Sequence, residues 1–416
     1  MAGTNWAGNL AYHATALVAP ATVAEAQAAV RAATKLRVVG SRHCFNDIAD
    51  TDATHLSLEK RRGALSIDAA QRTVTVEGGT RYGDLAPALH AAGYALHNLA
   101  SLPHISIAGA IATATHGSGV TLGNLATAVR AIEFIGAEGE LSTLSRDKDG
   151  DTFAGAVVNL GALGVMTKLT LAVEPSFTVR QDLWLDLPLA ELTANFDAIV
   201  AAGYSVSLFT DWRSDAINQV WIKSRADAFM PRADFFGATR ATAKMHPLPG
   251  HDATAATEQL GVPGAWHDRL PHFRMDFTPS SGAELQAEYF VARERAADAI
   301  AILRRWGRAL GPYLMVSEIR TIAADDLWLS PAYQRDVVAF HFTFRQEYGV
   351  RRALHEMEAQ LAPLDPLPHW GKLFSLSPEK VRAGYARMDD FRGLAAKLDP
   401  GGKFRNAFVD KYILGK

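Results

Sequence analysis

Apolar and polar positions alternate with one texture up to Pro175 and with another beyond it. In the first part the apolar runs are short and broken by small residues. Thr22 and Glu25 form a capping-box pattern after Pro20, and Val23, Ala26 and Val30 follow at helical spacing. The spacing predicts a helix ending near Lys35. Arg37-Val38-Val39 then reads as a short strand that stops at Gly40. Thr73-Val74-Thr75-Val76 alternates as a half-buried strand and ends at Gly78-Gly79. Asp84 to Ala92 reads as a short helix closed by Gly93, with Pro87 tolerable only in or near its first turn. A helix over 157–163 should give way at Gly164 to a strand. On that strand Val165, Thr167, Leu169, Leu171 and Val173 share one face.

Beyond Pro175 the strands lengthen. Alternation marks Ser205–Asp211, Val220–Lys223, Glu284–Val291, Leu314–Thr321 and Val337–Phe344. Helical patterns at Leu189–Ala202, Arg293–Leu310 and Val350–Leu361 lie between them. Long connections between such elements predict a mostly antiparallel sheet covered by helices, an α+β arrangement. The tail from Pro378 reads as helical.

Composition narrows the class. A chain of 416 residues is longer than one core usually serves, so two domains are expected. Hydrophobic residues make up 48% and charged residues 21%, the balance of a globular protein. A net charge of −2 gives no reason to expect nucleic acid or an anionic membrane surface. No apolar run is long enough to span a bilayer, and Met-Ala-Gly-Thr-Asn-Trp does not read as a secretory signal. The single cysteine, Cys44, excludes an internal disulfide framework and suits a reducing compartment. The expected location is the cytoplasm, with no protein partner evident.

Five stretches carry chemistry. Gly40-Ser41-Arg42-His43-Cys44-Phe45-Asn46 follows a strand, and a tight turn there can present successive backbone N–H groups to a pyrophosphate. Ser101-Leu102-Pro103-His104-Ile105-Ser106 continues through Ile107-Ala108-Gly109-Ala110-Ile111-Ala112 to Thr115-His116-Gly117-Ser118-Gly119. Its small residues let backbone lie against a flat ring system. Farther on, Glu318 and Arg320 are two apart on one strand, and His341 and Thr343 are two apart on another, opposite Phe340, Phe342 and Phe344. Such a polar face is costly to bury unless its groups pair or meet a polar ligand. A solvent-facing strand, or a structural Glu318–Arg320 pair, would produce the same pattern. Pro368-His369-Trp370-Gly371-Lys372 places a lysine on a Gly-flanked segment that can reach a pocket.

These stretches resemble the vanillyl-alcohol-oxidase type of FAD-dependent oxidase, and most closely the alditol oxidases that act on xylitol and sorbitol. The resemblance extends from Asn5-Trp6-Ala7-Gly8-Asn9 to Lys403-Phe404-Arg405-Asn406-Ala407-Phe408. It implies a two-domain fold, with an FAD-binding domain over residues 1–175 completed by 376–416 and a substrate domain over 176–375. It implies FAD joined covalently through His43. Cofactor contacts are implied at Val39, Gly40, Ser41, Arg42, His43 and Cys44; at Ser101, Ser106, Gly109, Ala110, Ile111 and Ala112; and at Thr115, His116 and Val165. Ser101, Glu318, Arg320, Thr343 and Lys372 would hold a small polyol, with His341 beside them. One departure is Arg42, where the family usually has Gly.

The implied reaction oxidises a terminal hydroxymethyl to an aldehyde while O2 becomes hydrogen peroxide. Arg320 and Lys372 would stabilise charge developing on oxygen, and either Glu318 or His341 would relay the proton. An aldonolactone oxidase or dehydrogenase of the same superfamily is the rival reading, and a non-catalytic sugar-binding protein is one of another class. No metal is expected. Gly117-Ser118-Gly119 with Gly123 misses the dinucleotide spacing, and His355-Glu356 lacks the second histidine of a zinc helix because position 359 is alanine. Cys44 reads as packing, His104 as structural, and His116 as near the ring.

Overall fold

The computed structural model describes residues 3–63, 65–277 and 283–416. The first helix, Val23–Ala32, begins where Thr22 accepts from the Glu25 amide, while the Glu25 carboxylate accepts from the Ala21 amide. It stops short of Lys35 because the backbone turns extended at Ala33. Strand Leu36–Val38 follows and pairs in parallel with Thr54–Leu56, which also pairs with Ala16–Val18. Arg37 on this strand is buried, and its guanidinium donates to the carbonyls of Ile48, Leu160, Gly161 and Phe404. Burial lowers its pKa to about 10, so it remains charged at neutral pH.

A second, antiparallel sheet runs Leu65–Asp68, Thr73–Glu77, Val165–Ala172, Val129–Ile135 and Leu141–Ser145. Val74 and Val76 face its core and the threonines do not, as their alternation predicts. The last two strands are not evident in the sequence pattern. Two helices differ from expectation. The helix near residue 157 ends at Val157 instead of beginning there, in a segment Arg146–Val157 that is broken at Gly150, φ 45°. After it Asn159 bonds the Ala156 carbonyl and the Gly161 amide, and Leu160 turns left-handed at φ 54°. Those caps turn an apolar run that periodicity alone reads as helix. In Tyr82–Ala91, Pro87 lies past the first turn, and burial of Tyr82, Leu85, Ala86 and Leu89 outweighs the hydrogen bond it cannot make.

The largest sheet among the described residues is antiparallel throughout. Its order is Thr239–Arg240, Thr178–Pro188, Ala216–Arg225, Ser205–Thr210, Leu314–Ile322, Val337–Arg345, Glu284–Ala292 and Leu367–Pro368, with Gly264–Ala265 beside Thr178–Pro188. Thr178–Pro188 escapes the pattern reading because Gln181 and Asp182 interrupt its apolar face. The expected helix over 189–202 is two helices, Leu189–Ala194 and Phe196–Val200, broken where Asn195 bonds back to Glu191. Helices Ala296–Leu310 and Val350–Leu361 belong to the same core as Phe340, Phe342 and Phe344. The opposite side chains of those strands are left for a cavity.

The tail returns to the beginning of the chain. Leu36 N–H donates to Lys403 O at 2.9 Å, Phe404 packs with Ala26, Val30 and Leu36, and Asn406 donates to the carbonyls of Asp47, Ile48 and Asp50.

Candidate active site

The turn after Leu36–Val38 is held by close contacts. A Cβ at Gly40 would lie 2.5 Å from Ser106 Oγ, so a side chain there would collide. Ser41 Oγ accepts from Ser106 N–H at 3.0 Å and ties the turn to the second stretch. Gly79 approaches backbone as closely, since a Cβ would stand 1.9 Å from the Leu58 carbonyl oxygen. Arg42 has φ 63°, the left-handed region a glycine enters freely and other residues enter with strain. Its carbonyl accepts from Trp6 N–H at 2.8 Å. His43 stacks on the Trp6 ring at 5.2 Å, and both its ring nitrogens are buried without a partner. Burial lowers its pKa to about 4, so the imidazole is neutral with a free nitrogen. Burial likewise pushes the Cys44 thiol up to about 11.

The second stretch supplies the facing wall through the short helix Ile107–Ala112. Together the two stretches border a cavity of about 420 Å³. Val39 to Cys44, Ser101, Ser106, Gly109, Ala110, Ala112, Thr115 and His116 all line it. Ile111 and Val165 do not. Ile111 points from its helix into the main core, and Val165 packs with Leu36, Ile135 and Phe404. His104 also lies outside the lining, with Nε2 2.9 Å from the Met275 carbonyl oxygen.

The charged sheet face closes the other end of the same cavity. Glu318 pairs with His341 across neighbouring strands, and Val316 with Thr343. Glu318, Arg320, His341, Thr343 and Lys372 all line the cavity, and the first four are buried, so this is not a solvent-facing strand surface. Arg320 Nη2 donates to Glu288 Oε1 at 2.7 Å, its Nε lies 3.6 Å from Glu318 Oε2, and its Nη1 is 3.4 Å from Ser101 Oγ. Lys372 donates to Gln286 Oε1, and His341 Nε2 is 3.2 Å from the same oxygen. That carbonyl oxygen can only accept, which assigns the hydrogen of His341 to Nε2.

The charges settle one another. Burial pushes the Glu318 carboxyl up, but Arg320 and His272 outweigh it and hold the group below the usual range. Glu288 is held low in the same way by Arg320 and His116. Burial lowers Arg320, and the two carboxylates more than reverse that. Lys372 is lowered by burial, with Arg320 adding to the effect. His341 falls to about 3, chiefly through burial and then through Lys372, so it is a neutral hydrogen-bonding group.

Several lining residues escape the sequence reading. Gln286 and Glu288 join the polar face from the neighbouring strand Glu284–Ala292. Their signal was present, since Glu284-Leu285-Gln286-Ala287-Glu288 alternates polar with apolar. His272 lies on a loop and gives no such signal. His116, Glu288 and His369 bring potential ligand atoms within 4.8 Å of one another. There, however, Arg320 already supplies a cation to Glu288, and His369 Nδ1 accepts from the Gly371 amide at 3.0 Å.

Comparison with known proteins bears on what this cavity holds. An FAD binding domain model matches residues 14–145, and a D-arabinono-1,4-lactone oxidase model matches residues 282–412. The chain is 48% identical to an alditol oxidase from a Streptomyces species over 99% of both chains. This chain belongs to the alditol oxidase family. Within that wider group it is also 30% identical to the L-gulono-1,4-lactone dehydrogenase of Mycobacterium tuberculosis, over 99% of this chain and 98% of the relative. The fold matches a crystal structure of cholesterol oxidase from B. sterolicum with a TM-score of 0.78 at 17% identity, covering 95% of this chain and 94% of that one. The family's cofactor, FAD, fits these residues. Gly40 and Gly79 allow the close packing that shapes this end of the cavity, and the unpartnered His43 nitrogens are buried beside it. Among the described residues no helix is long and apolar enough to cross a membrane.

Proposed function

We propose that the protein is an FAD-dependent alditol oxidase, converting the terminal hydroxymethyl of a small polyol such as xylitol or sorbitol to the aldose. The observation that carries this reading is the shared cavity. One wall is the His43 turn, and the other is a buried sheet face whose two carboxylates share Arg320. Each polyol hydroxyl donates and accepts, so Ser101, Glu318, Arg320, Thr343 and Lys372 can satisfy several at once. The Glu288–Arg320–Glu318 cluster sets two carboxylates on one guanidinium, so an anionic ligand would add to its negative charge whereas a neutral polyol adds none. The 48% identity over the whole chain adds to this support.

FAD would act as the two-electron acceptor, taking hydride from the carbinol carbon and passing both electrons to O2, which leaves as hydrogen peroxide. Val39 to Cys44 would carry the cofactor's phosphate-bearing end, with a covalent bond through a free ring nitrogen of His43. Ser106, Gly109, Ala110, Ala112, Thr115 and His116 would lie along its ring. Arg320 and Lys372 stabilise negative charge on the reacting oxygen or its neighbour. We assign the hydroxyl proton to Glu318, an ionised carboxylate that lines the cavity beside Arg320. A free alcohol is a very weak acid, so proton loss accompanies hydride removal rather than preceding it.

The cofactor domain in this reading is 1–175 with 376–416, supported by the bonds from the tail to Leu36 and to Asp47–Asp50, and 176–375 forms the substrate domain. A cytoplasmic location is supported by the single cysteine. The lactone-oxidase model over 282–412 favours a second reading, oxidation of an aldonolactone. Anaerobic mixing with xylitol, sorbitol, glycerol and an aldonolactone, while flavin absorbance is followed, separates the two. Bleaching by polyols is expected. Bleaching by the lactone alone would overturn the alditol reading, and bleaching by none of them would overturn both.

A further inference from the structure

Next to Glu318, on the side of its strand away from His341, two buried titratable groups have no part in the reaction described above. Lys223, at 1% exposure, directs its ammonium to the carbonyls of Leu270 and Pro271 and to His272 Nδ1, the last at 3.0 Å. Carbonyl oxygens only accept and an ammonium only donates, so all three hydrogens are committed and His272 Nδ1 is an acceptor. Its single hydrogen is therefore on Nε2, which lies 2.7 Å from Glu318 Oε1. The His272 ring is fixed from its sides by Phe209 and Trp221, both edge-on. Its backbone N–H donates to the Ser101 carbonyl at 3.0 Å, so one residue ties Glu318 to a serine of the cofactor wall.

We infer that Lys223 and His272 form a positioning pair: the lysine sets the histidine's tautomer, and the histidine holds the Glu318 carboxylate with Oε2 directed toward the substrate hydroxyl. The inference rests on the polyol reading of the cavity. In the chain Lys223 N–H to His272 Nδ1, then His272 Nε2–H to Glu318 Oε1, every hydrogen is donated toward the carboxylate. During oxidation the hydroxyl proton binds Glu318 as hydride leaves the carbon, and no proton need pass beyond Glu318. The other groups facing this carboxylate are Arg320 on its own strand and His341 opposite in the register, with Glu288 on the far side of Arg320. Burial alone would push Glu318 up, and His272 is among the groups that hold it down. His272 is itself neutral, lowered to about 4 by burial and by Lys223. Lys223 is lowered to about 7, by burial and by Arg320 against Glu318, so the ammonium that fixes the tautomer is the form present below that pH, and the tautomer is read at pH 6.

With Glu318 depressed, the wild-type enzyme keeps its proton acceptor across the neutral range. Removing the Nε2–H donor leaves Arg320 to hold the carboxylate ionised but frees its orientation. The test uses the flavin-loaded enzyme, with rapid anaerobic mixing against xylitol from pH 5 to 9. For His272→Leu, the limiting reduction rate should fall by about tenfold or more throughout this range. The apparent xylitol Kd should change by less than the rate does. His272→Gln, which keeps an N–H near the Nε2 position, should restore most of the rate. Superimposable profiles for His272→Leu and wild type would overturn the inference, as would a Gln variant no better than Leu.

A second measurement does not depend on turnover. In ¹⁵N-histidine-labelled protein, the resonance pair lost in His272→Gln should report the Nε2–H tautomer, and Lys223→Met should move it toward the other form. An Nδ1–H tautomer in the wild type would overturn the inference. If no polyol reduces the wild-type flavin, the alditol reading fails while the tautomer result still decides the pair.

Discussion

The two walls of the cavity solve opposite problems. The cofactor wall is built from backbone and small side chains, and its most distinctive group, His43, has no partner on either nitrogen. The sheet wall is crowded with charge, and its charged groups are paired: Glu288 with Arg320, Arg320 with Glu318, Glu318 with His272, and Lys372 with Gln286. An open imidazole is what a wall needs if a permanent ligand is to complete it. A paired network is what a wall needs if its ligand comes and goes, because unpaired buried charges would be intolerable between turnovers. The difference separates a wall completed by its cofactor from one complete without its substrate.

The largest effect is expected from breaking the paired wall. Arg320→Ala should lower kcat/KM for xylitol by about two orders of magnitude or more, the scale of losing one strong transition-state donor. It also strands Glu288 and Glu318, so stability should fall by about 3–5 kcal/mol. Steady-state kinetics beside melting temperature and flavin content checks both. Near wild-type turnover in a fully flavin-loaded variant would mean that the reacting oxygen is not at this wall. Lys372→Ala should lose rate comparably but less stability, because Gln286 Oε1 keeps His341 Nε2–H as a donor and no carboxylate loses its paired cation.

Breaking the open wall should act on the cofactor first. The wild-type protein, precipitated with acid, should remain yellow, and His43→Ala should release its flavin into the supernatant. The folded variant gives up no hydrogen bond but loses the ring stacked on Trp6, so stability should fall by about 1–2 kcal/mol. Free flavin from the wild type would remove the covalent bond from the reading while leaving the binding site in place.

The smallest effect sharpens the same wall. Arg42 sits at φ 63°, and glycine adopts that conformation without the strain of a Cβ. Arg42→Gly should relieve about 1–2 kcal/mol of backbone strain, partly offset by greater freedom in the unfolded chain. The net gain should be under about 1 kcal/mol in chemical denaturation, with unchanged flavin content. A clear loss of stability would show that the arginine side chain holds the turn more than its conformation strains it.

Much of this was decided locally. The capping pair Thr22 and Glu25, the strand into Gly40 and the alternation of Glu318 with Arg320 and His341 with Thr343 all depend on residues a few positions apart, where the periods of helix and strand apply. The departure at Arg42 was also local, because a left-handed turn position is a property of one residue. Where packing overrides local preference, the sequence by itself was insufficient. Pro87 sits past the first turn of a buried helix. Local side-chain bonds that periodicity does not count also intervene: Asn159 ends the run that looked helical, and Asn195 divides another. Ile111 and Val165 turned to the core because a buried short helix and a central strand each have more than one buried direction. The deepest dependence on tertiary structure is at Glu318. Its strand and face are legible in the sequence, but its partners come from positions 223, 272 and 320, brought together only when the Lys223 strand, the loop after Leu270 and the Glu318 strand converge. A buried carboxylate takes its protonation state from the charges around it, and no pattern along the chain specifies which charges those will be.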